Sequence, residues 1–75
     1  MDSALIASRI KLVCRDKGIS IKKLLEETKT NRNLIYQLEK NISSPSVESL
    51  SKLADYLGCS VDYLLGKTDK PEVNR

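Results

Sequence analysis

The stretch that most constrains this chain is residues 20–39, SIKKLLEETKTNRNLIYQLE. It divides into a short helix with one apolar face, a tight polar turn, and a second helix with one apolar and one hydrogen-bonding face. Ser20 stands where its hydroxyl can accept from an unpaired amide at the start of the first helix, expected over Ile21 to Glu27. Asn31 stands in the same role before the second, expected over Arg32 to Lys40. Only Thr28, Lys29 and Thr30 separate them, too few residues for antiparallel side-by-side packing. Two helices crossing steeply over such a turn form a helix-turn-helix.

The second helix carries the functional reading. At about 100° per residue, Leu34, Ile35 and Leu38 fall on one side, while Asn33, Tyr36, Gln37 and Lys40 fall opposite with Arg32 beside them. An outward face kept only for solubility is typically filled with Glu and Lys. Here it holds Arg, Asn and Gln, the side chains able to make paired hydrogen bonds to base edges: Arg to guanine, Asn or Gln to adenine. They sit in the first two turns, the part of a reading helix that reaches the floor of the major groove.

Seventy-five residues allow one small domain. Its aromatic residues are three tyrosines, so the core must be built from Leu, Ile, Val and Ala, which suits a helical bundle better than a sandwich of sheets. The net charge of +3 is unevenly spread. Residues 9–32 hold eight basic against three acidic side chains, a local balance of +5, while residues 39–75 hold five against six. A positive half beside a near-neutral one suits a protein that offers one face to a polyanion. Cys14 and Cys59 have no histidine beside them and are too few to staple a secreted fold, so they are expected as buried free thiols in a reducing compartment. The apolar run Leu5-Ile6-Ala7 is too short for a signal peptide, and no span approaches membrane length, so a cytoplasmic location is expected.

Taken in order, the chain predicts five helices. The first runs from about Ala4 to Asp16, capped by Ser3 or Asp2, with Ile6, Ile10 and Val13 inward. Leu5, Leu12 and Cys14 broaden that stripe or cover neighbouring helices, and Gly18 ends the helix. Helix two turns Leu24 and Leu25 inward. Lys22 and Lys23 in its first turn oppose the helix dipole, a mild penalty that points to an anion site completed by the free amides there. Asn41 is a left-handed cap after helix three, and the small polar loop Ile42-Ser43-Ser44 leaves room for a second phosphate. Helix four runs Val47 to Leu57 behind the Ser46 cap and stops at Gly58. Helix five runs Val61 to Leu65 behind Ser60 and stops at Gly66. This divides the chain into a domain over 1–66 and, over 67–75, a polar tail or linker.

Residues 9–66 resemble the phage repressor and Cro type of helix-turn-helix domain, also called the XRE family. The likeness is carried by Lys17-Gly18-Ile19-Ser20, Leu24, the pattern Asn31-x-x-x-Ile35-x-x-x-Glu39, Pro45-Ser46, Leu50-x-x-Leu53-Ala54-x-x-Leu57-Gly58, and Val61-Asp62-Tyr63-Leu64-Leu65-Gly66. The resemblance implies a compact all-α five-helix bundle. It implies base contacts from Arg32, Asn33, Tyr36 and Gln37. Phosphate contacts are implied from the start of helix two (Ser20, Ile21, Lys22, Lys23) and from the loop Asn41, Ser43 and Ser44, with Lys29 and Lys40 as further cations facing the DNA backbone. Domains of this kind commonly bind inverted repeats as dimers, which places Val61, Tyr63, Leu64 and Leu65 near a dimer contact. Exposure of Tyr63 or Leu65 would support that contact, and packing into the monomer core is the alternative.

Three positions depart from the family pattern. Where the family often has a phosphate-binding Gln, Ile21 leaves only its backbone amide or Lys22. Where the turn usually has Gly, Lys29 must adopt a left-handed conformation or the turn must differ. Where an Arg often pairs with the equivalent of Glu39, Cys14 stands instead, so Glu39 pairs elsewhere or lies exposed.

The reading reached from the sequence is a sequence-specific double-stranded DNA-binding regulator, most consistent with a repressor, acting as a homodimer on DNA. The alternative is a protein-interaction module, antitoxin-like or anti-repressor, on the same fold; a large apolar patch on helix one or five would favour it. The sequence has no histidine, no activated nucleophile pair, no glycine-rich phosphate loop and no metal-ligand spacing. No enzyme activity, metal, cofactor or small-molecule substrate is expected.

Overall fold

A computed structural model describes residues 2–42 and 44–72. Five helices follow in order: α1 Ser3–Lys17, α2 Ile21–Glu27, α3 Leu34–Glu39, α4 Val47–Leu57 and α5 Val61–Leu64. The described residues contain no strand. Four helices start on a side chain that accepts from the first-turn amides. Asp2 Oδ1 takes Ala4 N–H at 3.1 Å and Leu5 N–H at 3.3 Å, so Asp2 rather than Ser3 is the cap of α1. Ser20, Ser46 and Ser60 each accept from the amide three residues on, at 3.0, 3.1 and 3.0 Å.

All five helices end in the same way. A residue with φ between +55° and +81° follows each last turn: Gly18, Lys29, Asn41, Gly58 and Gly66. Its amide and the next one reach back to the final carbonyls, as when Asn41 N–H donates to Leu38 O at 3.1 Å and Ile42 N–H to Gln37 O at 2.9 Å. Lys29 does the same without glycine's freedom: its N–H donates to Glu26 O at 3.2 Å and Thr30 N–H to Leu25 O at 3.0 Å. Of the two alternatives left for Lys29, the left-handed conformation is the one present, and the expected left-handed Asn41 is present as well.

α3 departs from its expected bounds. Asn31 does make its side-chain bond, Oδ1 accepting Asn33 N–H at 2.8 Å, but its carbonyl also accepts Leu34 N–H at 2.9 Å. Those two bonds close a separate turn, so the helix begins at Leu34 with Asn33 at its cap, and Arg32 lies in the turn. Smaller differences appear at α1, one residue longer at each end than expected, and at α5, which stops at Leu64.

The interior is aliphatic. Ile6, Ile10, Leu24, Leu38, Leu53, Leu57 and Leu64 are fully buried, joined by Ala7, Val13, Leu25, Leu34, Ile35, Leu50 and Ala54. Each such Leu or Ile contributes about 1.5–3 kcal/mol of transfer free energy. Cys14 and Cys59 are free thiols inside this core. Leu5 and Leu12 remain partly exposed, so they do not extend the buried stripe of α1. No helix among the described residues is long and apolar enough to cross a membrane.

Candidate nucleic-acid interface

α3 is six residues long, about 9 Å at 1.5 Å per residue, and it packs chiefly on α1. Leu34, Ile35 and Leu38 anchor it, which turns the other face out. Four further contacts hold it and the turn before it. Lys11 Nζ of α1 pairs with Glu39 Oε1 at 2.8 Å, supplying from one turn earlier the partner that Cys14 cannot offer. Asn41 Oδ1, just past the end of α3, accepts Ser3 N–H at 3.0 Å and so ties the start of α1 to the far end of α3. Below, the buried Thr28 hydroxyl donates to Leu24 O at 2.7 Å and sits 2.9 Å from the Thr30 hydroxyl, which stiffens the turn between α2 and α3.

Arg32, Asn33 and Tyr36 are exposed, Tyr36 at 59 % of its surface, and Gln37 is half-buried. Among the described residues none of these four side chains makes a hydrogen bond or ion pair. Arg32 also lines a shallow hollow with Ile21, Lys22, Leu25, Glu26 and Thr30. That hollow gathers two cations with the first residue of α2, and one carboxylate as well.

The expected phosphate-binding residues divide into four groups, with Ile21, partly buried against the core, offering only its backbone amide. Lys22, Lys29 and Lys40 are exposed and unpaired among the described residues. Lys23 is exposed but stands 3.7 Å from Glu27, an i,i+4 pair in the less favourable orientation and worth only a few tenths of a kcal/mol. Ser20 spends its acceptor on the cap of α2, and Asn41 spends its carbonyl on α1, leaving the Asn41 amide nitrogen free. Ser44 is exposed, and Ser43 lies outside the described residues.

At the expected dimer contact the burial is uneven. Tyr63 and Leu64 pack within the monomer, at 7 % and 0 % exposure, which removes them from any surface. Arg9 closes over the Tyr63 ring, its guanidinium carbon 4.4 Å from the centroid. Val61 and Leu65 keep part of their surface. Two features escaped the sequence reading. The Lys11–Glu39 pair could be found only by knowing that α1 faces α3. The exposed Ile42 and Val47, at 62 % and 79 %, flank the loop between α3 and α4.

The arrangement is a short anchored helix whose uncommitted hydrogen-bonding face stands beside cations unpaired among the described residues. The helix-turn-helix family profile matches residues 10–64, and the chain belongs to that family. The chain is 32% identical over 69 residues to the HTH-type transcriptional regulator SinR of Bacillus licheniformis, covering 91% of this chain and 62% of that one. It is 46% identical over 43 residues to an HTH-type transcriptional regulatory protein of Aeropyrum pernix, covering 57% of this chain and 13% of that protein. The chain thus spans less than two thirds of the length of either relative. No solved structure matches it significantly.

Proposed function

We propose that the chain is a double-stranded DNA-binding transcriptional regulator, acting as a repressor on an inverted-repeat operator. The observation that carries this reading is the outward face of α3, where the side chains of Asn33, Tyr36 and Gln37, with Arg32 beside them, have no partner among the described residues. A helix about 9 Å long enters a major groove about 12 Å wide end-on or along its length. Asn33 and Gln37 can each pair with an adenine edge, and Arg32 with guanine, each good paired contact contributing about 1–3 kcal/mol of base discrimination. Tyr36 offers its ring to a thymine methyl or its hydroxyl to a phosphate. Lys22, Lys29 and Lys40 displace counterions and set the register, with Lys23, the first amides of α2, Asn41, Ser43 and Ser44 as further backbone contacts. Val61 and Leu65 are the apolar groups left for a contact between two copies on one operator. The chain works by binding and not by catalysis, as a cytoplasmic protein with access to DNA.

Relatives named as HTH-type transcriptional regulators support this reading. A protein-interaction module on the same fold would want broad apolar surface on α1 or α5. Leu5 and Leu12 are only partly exposed on α1, and Tyr63 and Leu64 of α5 turn inward. Selection of bound duplexes from a random pool tests the proposal. Enrichment of a symmetric site with half-sites about one helical turn apart is expected. Recovery of no motif above bulk genomic DNA would end the sequence-specific reading.

A further inference from the structure

Residues 67–72 lie beyond the 10–64 family match, and no periodic pattern predicts structure for them, yet the fold holds them at three points. The chain turns back after α5, Lys67 N–H donating to Asp62 O at 2.9 Å. Arg9 of α1 then bridges two elements: it covers the Tyr63 ring of α5, and its Nη2 stands 3.1 Å from Asp69 Oδ1. Finally Ser60 N–H, which at the cap of α5 has no acceptor within the helix, donates to the Pro71 carbonyl at 2.9 Å. Pro71 thereby lines a hollow with Val13, Lys17, Cys59 and Tyr63.

We propose that residues 67–72 form a salt-labile strap that holds α5 on α1, with Arg9 as its pin. α5 has four residues, far too few to persist as a helix by its own hydrogen bonds. The strap grips α5 at its first turn through the Pro71–Ser60 bond, and through Asp69 it holds the Arg9 that stacks on Tyr63 at the middle of α5. The two halves of the grip differ in kind. Arg9 is largely covered, its side chain 18% exposed, whereas the Asp69 side chain is 99% exposed. The Arg9–Asp69 pair is therefore open to screening, while the stack on Tyr63 is much less so. Salt loosens the strap at Asp69 first, frees the Pro71–Ser60 bond, and leaves α5 dependent on the burial of Tyr63 and Leu64.

Hydrogen exchange of single amides in the full chain, read by NMR, tests this. The Ser60 amide reports the strap, Leu64 reports α5, and Leu53 in α4 reports the core. Raising salt to about 0.5 M, or the substitution Asp69→Asn, is expected to lower Ser60 protection by about two- to fivefold while Leu53 is unchanged. The two treatments together should do little more than either alone. Replacing residues 67–72 with a Gly/Ser segment of equal length should abolish Ser60 protection and speed Leu64. Unchanged Ser60 protection in Asp69→Asn at low salt would overturn the proposal. So would Ser60, Leu64 and Leu53 losing protection together, because that pattern is opening of the whole domain.

Discussion

Lys29 holds φ +56° on a side chain that gains nothing from that conformation inside the protein. The left-handed region costs a non-glycine residue roughly 1–2 kcal/mol, part of which glycine's greater freedom in the unfolded chain takes back. Lys29→Gly should therefore stabilise the domain by about 1 kcal/mol in urea melts. In the proposed complex the same substitution should weaken DNA binding and reduce the salt slope by about one ion. A gain in stability with unaltered binding would remove Lys29 from the interface. Arg32 poses a sharper question, because it stands ahead of α3 and shares a hollow with Lys22. Arg32→Ala should lower affinity for the selected site by about 1–3 kcal/mol and relax preference at one base pair. Lys22→Ala should weaken all duplexes alike. If both variants lose affinity uniformly across sequences, Arg32 grips the DNA backbone and base reading falls to Asn33, Tyr36 and Gln37.

Each helix boundary records a contest between cap residues and periodicity. Where one cap residue stands alone, as at Ser20, Ser46 and Ser60, the sequence placed the start correctly. At α3 two asparagines stand two residues apart, and the first closes a turn with both its side chain and its carbonyl. Nothing in the local pattern says that the turn ends before the helix begins. The segment after Gly66 was illegible for a different reason: Arg9 and Asp69 are 60 positions apart, and one ion pair leaves no periodic trace. Asn41 was legible as a left-handed cap but not as the acceptor for Ser3. Its two roles can be separated. Asn41→Gly keeps the backbone conformation and loses only the bond to Ser3, whereas Asn41→Ala loses both. The alanine variant should be destabilised by about 1–2 kcal/mol, and the glycine variant by clearly less, as read by thermal melts. Equal losses would mean that the left-handed backbone contributes nothing.

Across the whole molecule, stability rests on one aliphatic core with few residues to spare. Leu53→Ala should cost about 2–5 kcal/mol, a large share of the roughly 5–15 kcal/mol available to such a domain, and should broaden or abolish the melt. Burial pushes both thiols, Cys14 and Cys59, above the ordinary value of 9.0. The unfolded chain therefore releases these protons first as pH rises. Their contribution to stability is complete below about pH 9 and is lost as pH climbs through the raised folded values. Urea midpoints should fall on the alkaline side, and less steeply in Cys59→Ala. On α3, by contrast, the inner residues anchor the helix, and the side chains of Arg32, Asn33, Tyr36 and Gln37 make no hydrogen bond or ion pair among the described residues. In the proposed complex, target preference is thus carried by residues other than those that form the core. If they read DNA as proposed, a duplicated copy of this chain can acquire a new operator by exchanges at Arg32, Tyr36 and Gln37 while its buried core stays that of its parent.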